Sequence, residues 1–217
     1  RLVKEGAYRE ALEVILDKNP LPFMTGRICT HSCQTACTRN HYETAVQIRN
    51  NKLIAARNGY EAVLPTLKKG EACGKKVAVI GAGPSGLTCA GDLAKLGYEV
   101  TIFEAFHEPG GVLLYGIPEF RLPKDRVVIP EIENVKKLGV KIETNVLVGR
   151  SITVDELLNE EGFDAVFLGT GAGLPKFMNI PGETANGVYS ANEFLTRNNL
   201  MKAYREDADT PIKCGKK

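Results

Sequence analysis

The sequence predicts an α/β fold: a doubly wound parallel-sheet domain preceded by an all-helical one. Three observations predict it. The run KKVAVIGAG is a short apolar segment ending in glycines, and a helix-forming stretch then separates it from a second such run, YEVTIFEA. That is the βαβ unit of a doubly wound sheet. A third glycine-ended run, FDAVFLGTGAG, follows some sixty residues later. Everything before position 70 carries helical rather than strand periodicity.

Taken in order, Val3, Ala7, Ala11 and Ile15 recur every four residues, the mark of a one-sided helix, and Asn19-Pro20 ends it. A stretch rich in Thr, His and Cys runs from Pro20 to Asn40. A second helix is expected from about Ala45 to Arg57, stopping at Asn58-Gly59, and residues 67–70 read as a linker. The expected division is therefore 1–69 and 70–217. In the second part, KKVAVIGAG is a buried parallel strand. Pro84 to Leu96 is a helix with Pro in its first turn and Gly97 just past its end. YEVTIFEA is a strand, Ile129 to Leu138 a helix closed by Gly139, and VKIETNVLVG a strand. Thr153 and Glu156 form a capping box that starts a helix at Val154, FDAVFLGTGAG is a further strand, and the tail from about Asn186 is loosely helical.

Composition narrows the function. With 43% hydrophobic and 25% charged residues the chain is ordinarily globular, and 217 residues suit one or two domains with a buried core. A net charge of +2 gives no reason to expect nucleic acid or an anionic membrane, and the absence of Trp argues against a base-stacking surface. No apolar run approaches the roughly 18 residues needed to span a bilayer. The N-terminal segment has charges within its apolar pattern, so it reads as an amphipathic helix and not a signal peptide. A cytoplasmic protein is expected. Because the chain starts at Arg1, it is expected to be a segment of something longer.

The most specific motif is Gly81-Ala82-Gly83-Pro84-Ser85-Gly86, set between a predicted strand and a predicted helix. Gly81 permits the tight turn, Gly83 lets backbone approach a pyrophosphate, and Gly86 lets helix pack on strand. The helix start offers free N–H groups and a positive dipole end to phosphates. Glu104, 18 residues after Gly86, closes the second strand, where a carboxylate accepts from a ribose 2′-OH and repels a 2′-phosphate. This is a Rossmann-like dinucleotide site.

Of six cysteines, Cys29, Cys33 and Cys37 are clustered, and Cys73, Cys89 and Cys214 read as structural thiols. Three soft ligands within nine residues suit iron–sulfur or zinc. A zinc site would add His31, although CxH spacing is awkward for a closed site. His31 and His41 otherwise read as loop residues, as does His107. The residues alone leave iron–sulfur, zinc and no metal open.

His107-Glu108-Pro109-Gly110-Gly111 and the stretch GGVLLYGIPEFRLPK decide between dinucleotides. Together with FDAVFLGTGAG, IPGE and GVYSANEFL they resemble the FAD/iron–sulfur oxidoreductase family of the glutamate synthase small (beta) subunit. The N-terminal part of dihydropyrimidine dehydrogenase and the large subunit of NADH-dependent ferredoxin:NADP oxidoreductase are relatives in that family. The resemblance covers nearly the whole chain. It implies an FAD-binding domain at 70–217 behind a helical iron–sulfur domain at 1–69 that is incomplete at its N-terminus. An NAD(P)-binding domain is expected beyond the C-terminus, so this stretch alone should hold FAD without turning over NAD(P)H.

By the same resemblance, Ala82, Pro84 and Ser85 with the three glycines, Glu104, Gly111, Val112, Arg121, Val148, Thr170 and Gly171 contact FAD. Arg121 would neutralise pyrophosphate charge, and His107 would lie near the flavin entrance. Cys29 and Cys33 would serve one [4Fe–4S] cluster and Cys37 another, each completed by residues upstream of Arg1. One departure stands out: the family's Gln or Glu ligand is matched by Lys52, which ligates nothing while protonated. The implied function is an electron relay from NAD(P)H through FAD and iron–sulfur centres to a glutamate synthase large-subunit-like partner, which makes glutamate from 2-oxoglutarate and glutamine. A simple flavoprotein without iron–sulfur and a non-catalytic electron-transfer or docking subunit remain as other readings. A disulfide reductase would need a Cys pair after Gly110-Gly111, and Val112 to Arg121 holds none. Finally, Cys73-Gly74-Lys75-Lys76 before the first strand is repeated as Cys214-Gly215-Lys216-Lys217, so a second nucleotide-binding strand is expected just past the last residue, unless the repeat is coincidence.

Overall fold

In a computed structural model, which describes residues 1–210 and 212, a four-stranded parallel sheet carries the second part of the chain. The terminal Cys214–Lys217 repeat lies outside the described residues. Strands β1 (Lys76–Ile80), β2 (Glu99–Phe103), β3 (Lys141–Glu143) and β4 (Ala165–Leu168) stand in the order β3-β2-β1-β4. Ala78 faces Thr101 on one side and Val166 on the other. Past their first residues, Lys76 and Glu99, β1 and β2 are buried throughout because both of their faces are covered.

The helices are α1 (Tyr8–Leu16), α2 (Pro22–Ile28), α3 (Ser32–Thr35), α4 (Ile48–Val63), α5 (Pro84–Lys95), α6 (Val112–Tyr115), α7 (Ile129–Lys137), α8 (Val154–Asn159) and α9 (Ala191–Asn199). The period-2 alternation of β1 and β2 sorts their side chains between two layers. Val77, Val79, Val100 and Ile102 join Leu87, Ala90 and Ala94 of α5 and Ile132 and Val135 of α7 in the main core. Ala78, Ile80 and Phe103 pack on the opposite face with Leu157 of α8. The predicted capping box starts α8, with Glu156 N–H donating to Thr153 Oγ1 at 3.1 Å and Thr153 N–H to the Glu156 carboxylate at 2.7 Å.

Three elements depart from the sequence expectation. The first helix begins only at Tyr8: residues 2–6 form turns, and Gly6 takes φ +75°. The second helix does not stop at Asn58-Gly59 but runs on to Val63. Gly59 is there because α1 crosses at that point; a Cβ on it would stand 2.6 Å from the Tyr8 carbonyl oxygen. The glycine serves close helix packing and does not end the helix. The strand expected over VKIETNVLVG ends at Glu143, because Asn145 takes φ +61° and turns the chain out of the ladder.

The helical part has a small core of its own, formed by Ala11, Leu12 and Leu16 of α1 against Ala55, Ala56 and Val63 of α4. Its α2 helix is tied elsewhere: Leu21 and Met24 belong to the main core under the sheet. Glu131 of α7 is fully buried beneath it. Its carboxylate accepts the N–H groups of Phe23 at 2.6 Å and Met24 at 2.7 Å, and the hydroxyl of Tyr60 on α4 also donates to it. Burial pushes the Glu131 carboxyl up to about 7, although all three hydrogen bonds favour the anion, as does Lys52 on α4.

Two outcomes follow from this packing. Gly59→Val should lower unfolding free energy by about 2 kcal/mol, the usual scale of overpacking, as measured by urea denaturation. The folded Glu131 carboxyl binds its proton more readily than the unfolded one. The part of its contribution linked to that proton is therefore complete below its ordinary 4.5 and is lost as pH rises to about 7. The stability gap between wild type and Glu131→Gln should accordingly narrow over that interval; a gap that widens would contradict the assignment.

Candidate functional site

β1 ends at Ile80, and backbone from three later segments closes on the turn that follows. Gly81 takes φ +100°, and a Cβ on it would lie 2.5 Å from the Gly169 carbonyl oxygen. The Gly169 N–H donates to Ile80 O at 2.8 Å, and the Gly81 N–H to Phe103 O at 2.8 Å. Gly86 presses α5 onto the turn: a Cβ there would lie 1.9 Å from Gly81 O. Gly111 takes φ +52°, and its own Cβ would stand 2.7 Å from Gly83 Cα. The Gly110 N–H donates to Ala82 O at 2.9 Å, which seats the Gly110-Gly111 loop against Ala82-Gly83.

Gly83 differs from its neighbours. A Cβ added there meets nothing nearer than Gly111 Cα at 3.9 Å, and its backbone, φ −75° and ψ −178°, suits any residue. Packing therefore does not require glycine at this position, whereas a phosphate lying on the backbone would. Directly after it α5 opens at Pro84 and Ser85, both exposed, with no side chain capping its first turn. Uncapped N–H groups at the start of a twelve-residue helix, beside a glycine with free space above it, fit the pyrophosphate of a dinucleotide.

Glu104 sits just past β2 and is 5% exposed. One carboxylate oxygen accepts the Ala82 N–H at 2.7 Å and the other the Phe106 N–H at 2.9 Å. It thus braces the glycine turn from below. A carboxylate has about four lone-pair positions, so acceptor capacity is left for a ribose hydroxyl.

The structure gathers Gly81 to Gly86, Glu104, Gly111 and the Gly169-Thr170 backbone at the carboxyl end of β1. In open α/β sheets this is where ligands bind. Val112 starts α6 beside Gly111 and is 44% exposed. Thr170 and Gly171 lie exposed on the loop after β4. Arg121 is exposed on the loop after α6, its N–H donating to Pro118 O. Val148 is half-buried, bridges to Ile152 and packs with the α8-side core.

Lys124 is a residue that sequence reasoning missed. It begins a five-residue π-helical turn, Lys124–Val128, that runs straight into α7. Its buried ammonium donates to the carbonyls of Leu113 at 2.9 Å, Leu122 at 3.0 Å and Ile117. Glu119 accepts its N–H at 3.0 Å. All three ammonium donors are used, and the whole loop carrying Arg121 is pinned by them. Burial holds the Lys124 amine below its ordinary range.

The cysteines sit on successive short elements: Cys29 caps the end of α2, Cys33 lies in α3, and Cys37 precedes a 3₁₀ turn over Thr38–His41. His31, at φ +49°, aims its N–H at Cys29 Sγ, 3.4 Å away. Backbone N–H groups of Val46 and Arg39, with the Arg39 charge, hold the Cys37 thiol below its ordinary range. A thiol biased towards thiolate, as at Cys37, fits metal ligation. Their number does not close a site: among the described residues no three His, Cys, Asp or Glu side chains converge. Any cluster held here would take ligands from further residues. Lys52 is half-buried on α4 and close enough to Glu131 to favour its anion.

Among the described residues no helix is long and apolar enough to cross a membrane. Comparison with known proteins places the geometry in context. The family profile described as pyridine nucleotide-disulphide oxidoreductase matches residues 40–160 and 75–206. Residues 1–62 match one described as dihydropyrimidine dehydrogenase domain II, 4Fe-4S cluster. The chain is 40% identical over 197 residues to the glutamate synthase [NADPH] small chain of Bacillus subtilis, covering 90% of this chain and 39% of that protein. It is 36% identical over 216 residues to the Escherichia coli glutamate synthase [NADPH] small chain, covering 98% and 45%. It is 39% identical over 203 residues to the NADP(+)-dependent formate dehydrogenase subunit beta of Moorella thermoacetica, covering 83% and 28%. The chain thus spans less than half the length of these relatives. Among solved structures, the oxidoreductase FprA of Mycobacterium tuberculosis in complex with NADPH matches 57% of this chain and 28% of its own, with a TM-score of 0.51 and 27% identity. The nucleotide-binding turn lies within both matches to the first profile, and together they cover most of the sequence, so the chain belongs to the pyridine nucleotide-disulphide oxidoreductase family.

Proposed function

We propose that this chain binds FAD across the start of α5 and carries part of an iron–sulfur site on its cysteine segment. In this reading it is the front portion of an oxidoreductase that relays electrons from NAD(P)H to a partner. The observation that carries the proposal is Gly83, whose side-chain space is empty at the mouth of an uncapped helix. Bound FAD would supply the step from two-electron to one-electron chemistry. The chain's own residues bind and orient it. The first-turn N–H groups of α5 hold the pyrophosphate, Glu104 takes the ribose hydroxyl, and Gly111 and Val112 lie against the nucleotide. Arg121 adds positive charge, and Thr170-Gly171 brings the last loop to the ring. Val148, half-buried against the α8-side core, completes the set of FAD contacts.

The match to a 4Fe-4S domain profile over residues 1–62 supports a division into an iron–sulfur part at 1–69 and an FAD part at 70–217. In this assignment Cys29 and Cys33 belong to one cluster and Cys37 to a second. The glutamate synthase small chains among the relatives support a large-subunit-like partner and a nicotinamide site outside this chain.

The test is the visible spectrum of the full-length protein purified without oxygen. Flavin bands over a broad iron–sulfur absorption are expected, and a colourless protein that refuses added FAD would overturn the proposal. Gly83→Ala sharpens the test. Because nothing in the fold occupies that space, the apo-protein's Tm should stay within about 2 °C of wild type, in keeping with a substitution that creates no clash. FAD affinity should fall at least about 100-fold, as expected when backbone contact with phosphate is lost. Equal loss of apo stability would mean that glycine is there for packing.

A further inference from the structure

α2 is only seven residues long, and no side chain of its own segment caps its start. The caps come from 107 and 108 positions further along the chain: Glu131 takes the N–H groups of Met24 and Phe23, the donors left over in a helix's first turn. The same carboxylate takes the Tyr60 hydroxyl from α4, so one buried group joins three helices. The far end of α2 presents Cys29. On its other side, α7 reaches the dinucleotide cradle. Next to Glu131, Ile132 has its Cδ1 3.5 Å from where a Gly110 Cβ would stand, in the loop that seats against Gly83. Val135 and Pro20 both lie against Gly91 of α5, the helix that opens at the glycine turn. A continuous chain of contacts therefore runs from Cys29 along α2, through the Glu131 carboxylate, to the residues that would hold the cofactor.

A buried carboxylate is a costly way to fill this space, and apolar residues of similar volume often stabilise such sites as well or better. Hydrogen-bond geometry gives what apolar packing does not, namely a single register. We infer that Glu131 is a positioning residue: by capping α2 in trans it fixes the cysteine segment at one distance and orientation from the FAD cradle. This rests on the electron-relay reading, in which that separation governs passage of electrons from flavin to cluster. Glu131 touches neither cofactor and acts through α2. A glutamine at this position presents one acceptor oxygen, and its NH₂ group faces donors, so the three bonds cannot be kept.

The experiment uses the full-length holoprotein, wild type and Glu131→Gln. In wild type the Phe23 and Met24 amides should exchange with solvent as slowly as Val79 and Ile102 of the sheet core; fraying rates typical of a short helix start would overturn the inference without any variant. In Glu131→Gln those two amides should exchange at least about tenfold faster, while Val79 and Ile102 hold their rates. Stopped-flow reduction by NAD(P)H gives the second readout. Flavin reduction should stay within about twofold of wild type, and cluster reduction should slow about tenfold or more, the scale of effect of a small misplacement. Unchanged exchange, or equal slowing of flavin and cluster, would show that Glu131 does not set the register. If the wild-type protein shows no cluster at all, the relay reading fails by its own spectrum, and the exchange rates still decide whether Glu131 holds α2.

Discussion

Backbone meets backbone at the carboxyl end of β1, and most of the architecture is arranged around that contact. Gly81 against Gly169, Gly86 against Gly81, and Gly111 against Gly83 leave no room for side chains between them. Chain segments separated by up to ninety positions can approach so closely only where Cβ atoms are missing. The approach puts β1, β4, α5 and the Gly110 loop at one point. It also leaves the α5 start facing outwards, with Glu104 bracing it from behind. The sheet order follows from it, since β1 must be flanked by the strands whose ends supply those loops.

The glycine turn and the start of α5 were legible in the sequence because they are local: strand, glycines and helix follow one another at fixed spacing, and so does the acid at the end of β2, whereas the approach of Gly169 and Gly111 to that turn was not. The capping box at Thr153 is local too and was equally legible. What could not be read depends on segments distant in sequence. Asn58-Gly59 carries the signature of a helix stop, yet the crossing of α1 imposed a packing requirement that overrode it. The strand over VKIETNVLVG has the apolar alternation of a longer element, but a left-handed Asn145 broke it. Glu104 was legible as the acid that closes β2, while its bonds to Ala82 and Phe106 emerged only from the folded turn.

Glu131 and Lys124 share a faint signal that went unread. Val128, Glu131, Ile132 and Val135 fall on one helical stripe, so a carboxylate stands where an apolar residue belongs. Lys124 likewise lies between Leu122 and Val127, both fully buried. A charge inside an apolar stripe has to find its full set of partners or be expelled. Here the carboxylate receives three donors and the ammonium finds three acceptors. Lys124 thereby secures a loop without regular structure, and Glu131 the short helix α2.

The way Lys124 is bound has a consequence for the chain's vulnerability in a cell. A protease that cuts after lysine must take that side chain into a deep acidic slot with the neighbouring backbone drawn out straight. The Lys124 ammonium is already spent on three carbonyls, and the peptide bond after it is coiled into the turn that leads to α7. The loop is exposed at Phe120 and Arg121 yet shut at Lys124. Cutting at Lys124 therefore requires prior local unfolding, so the rate at which that bond is lost reports how often the whole segment beneath the cradle comes apart.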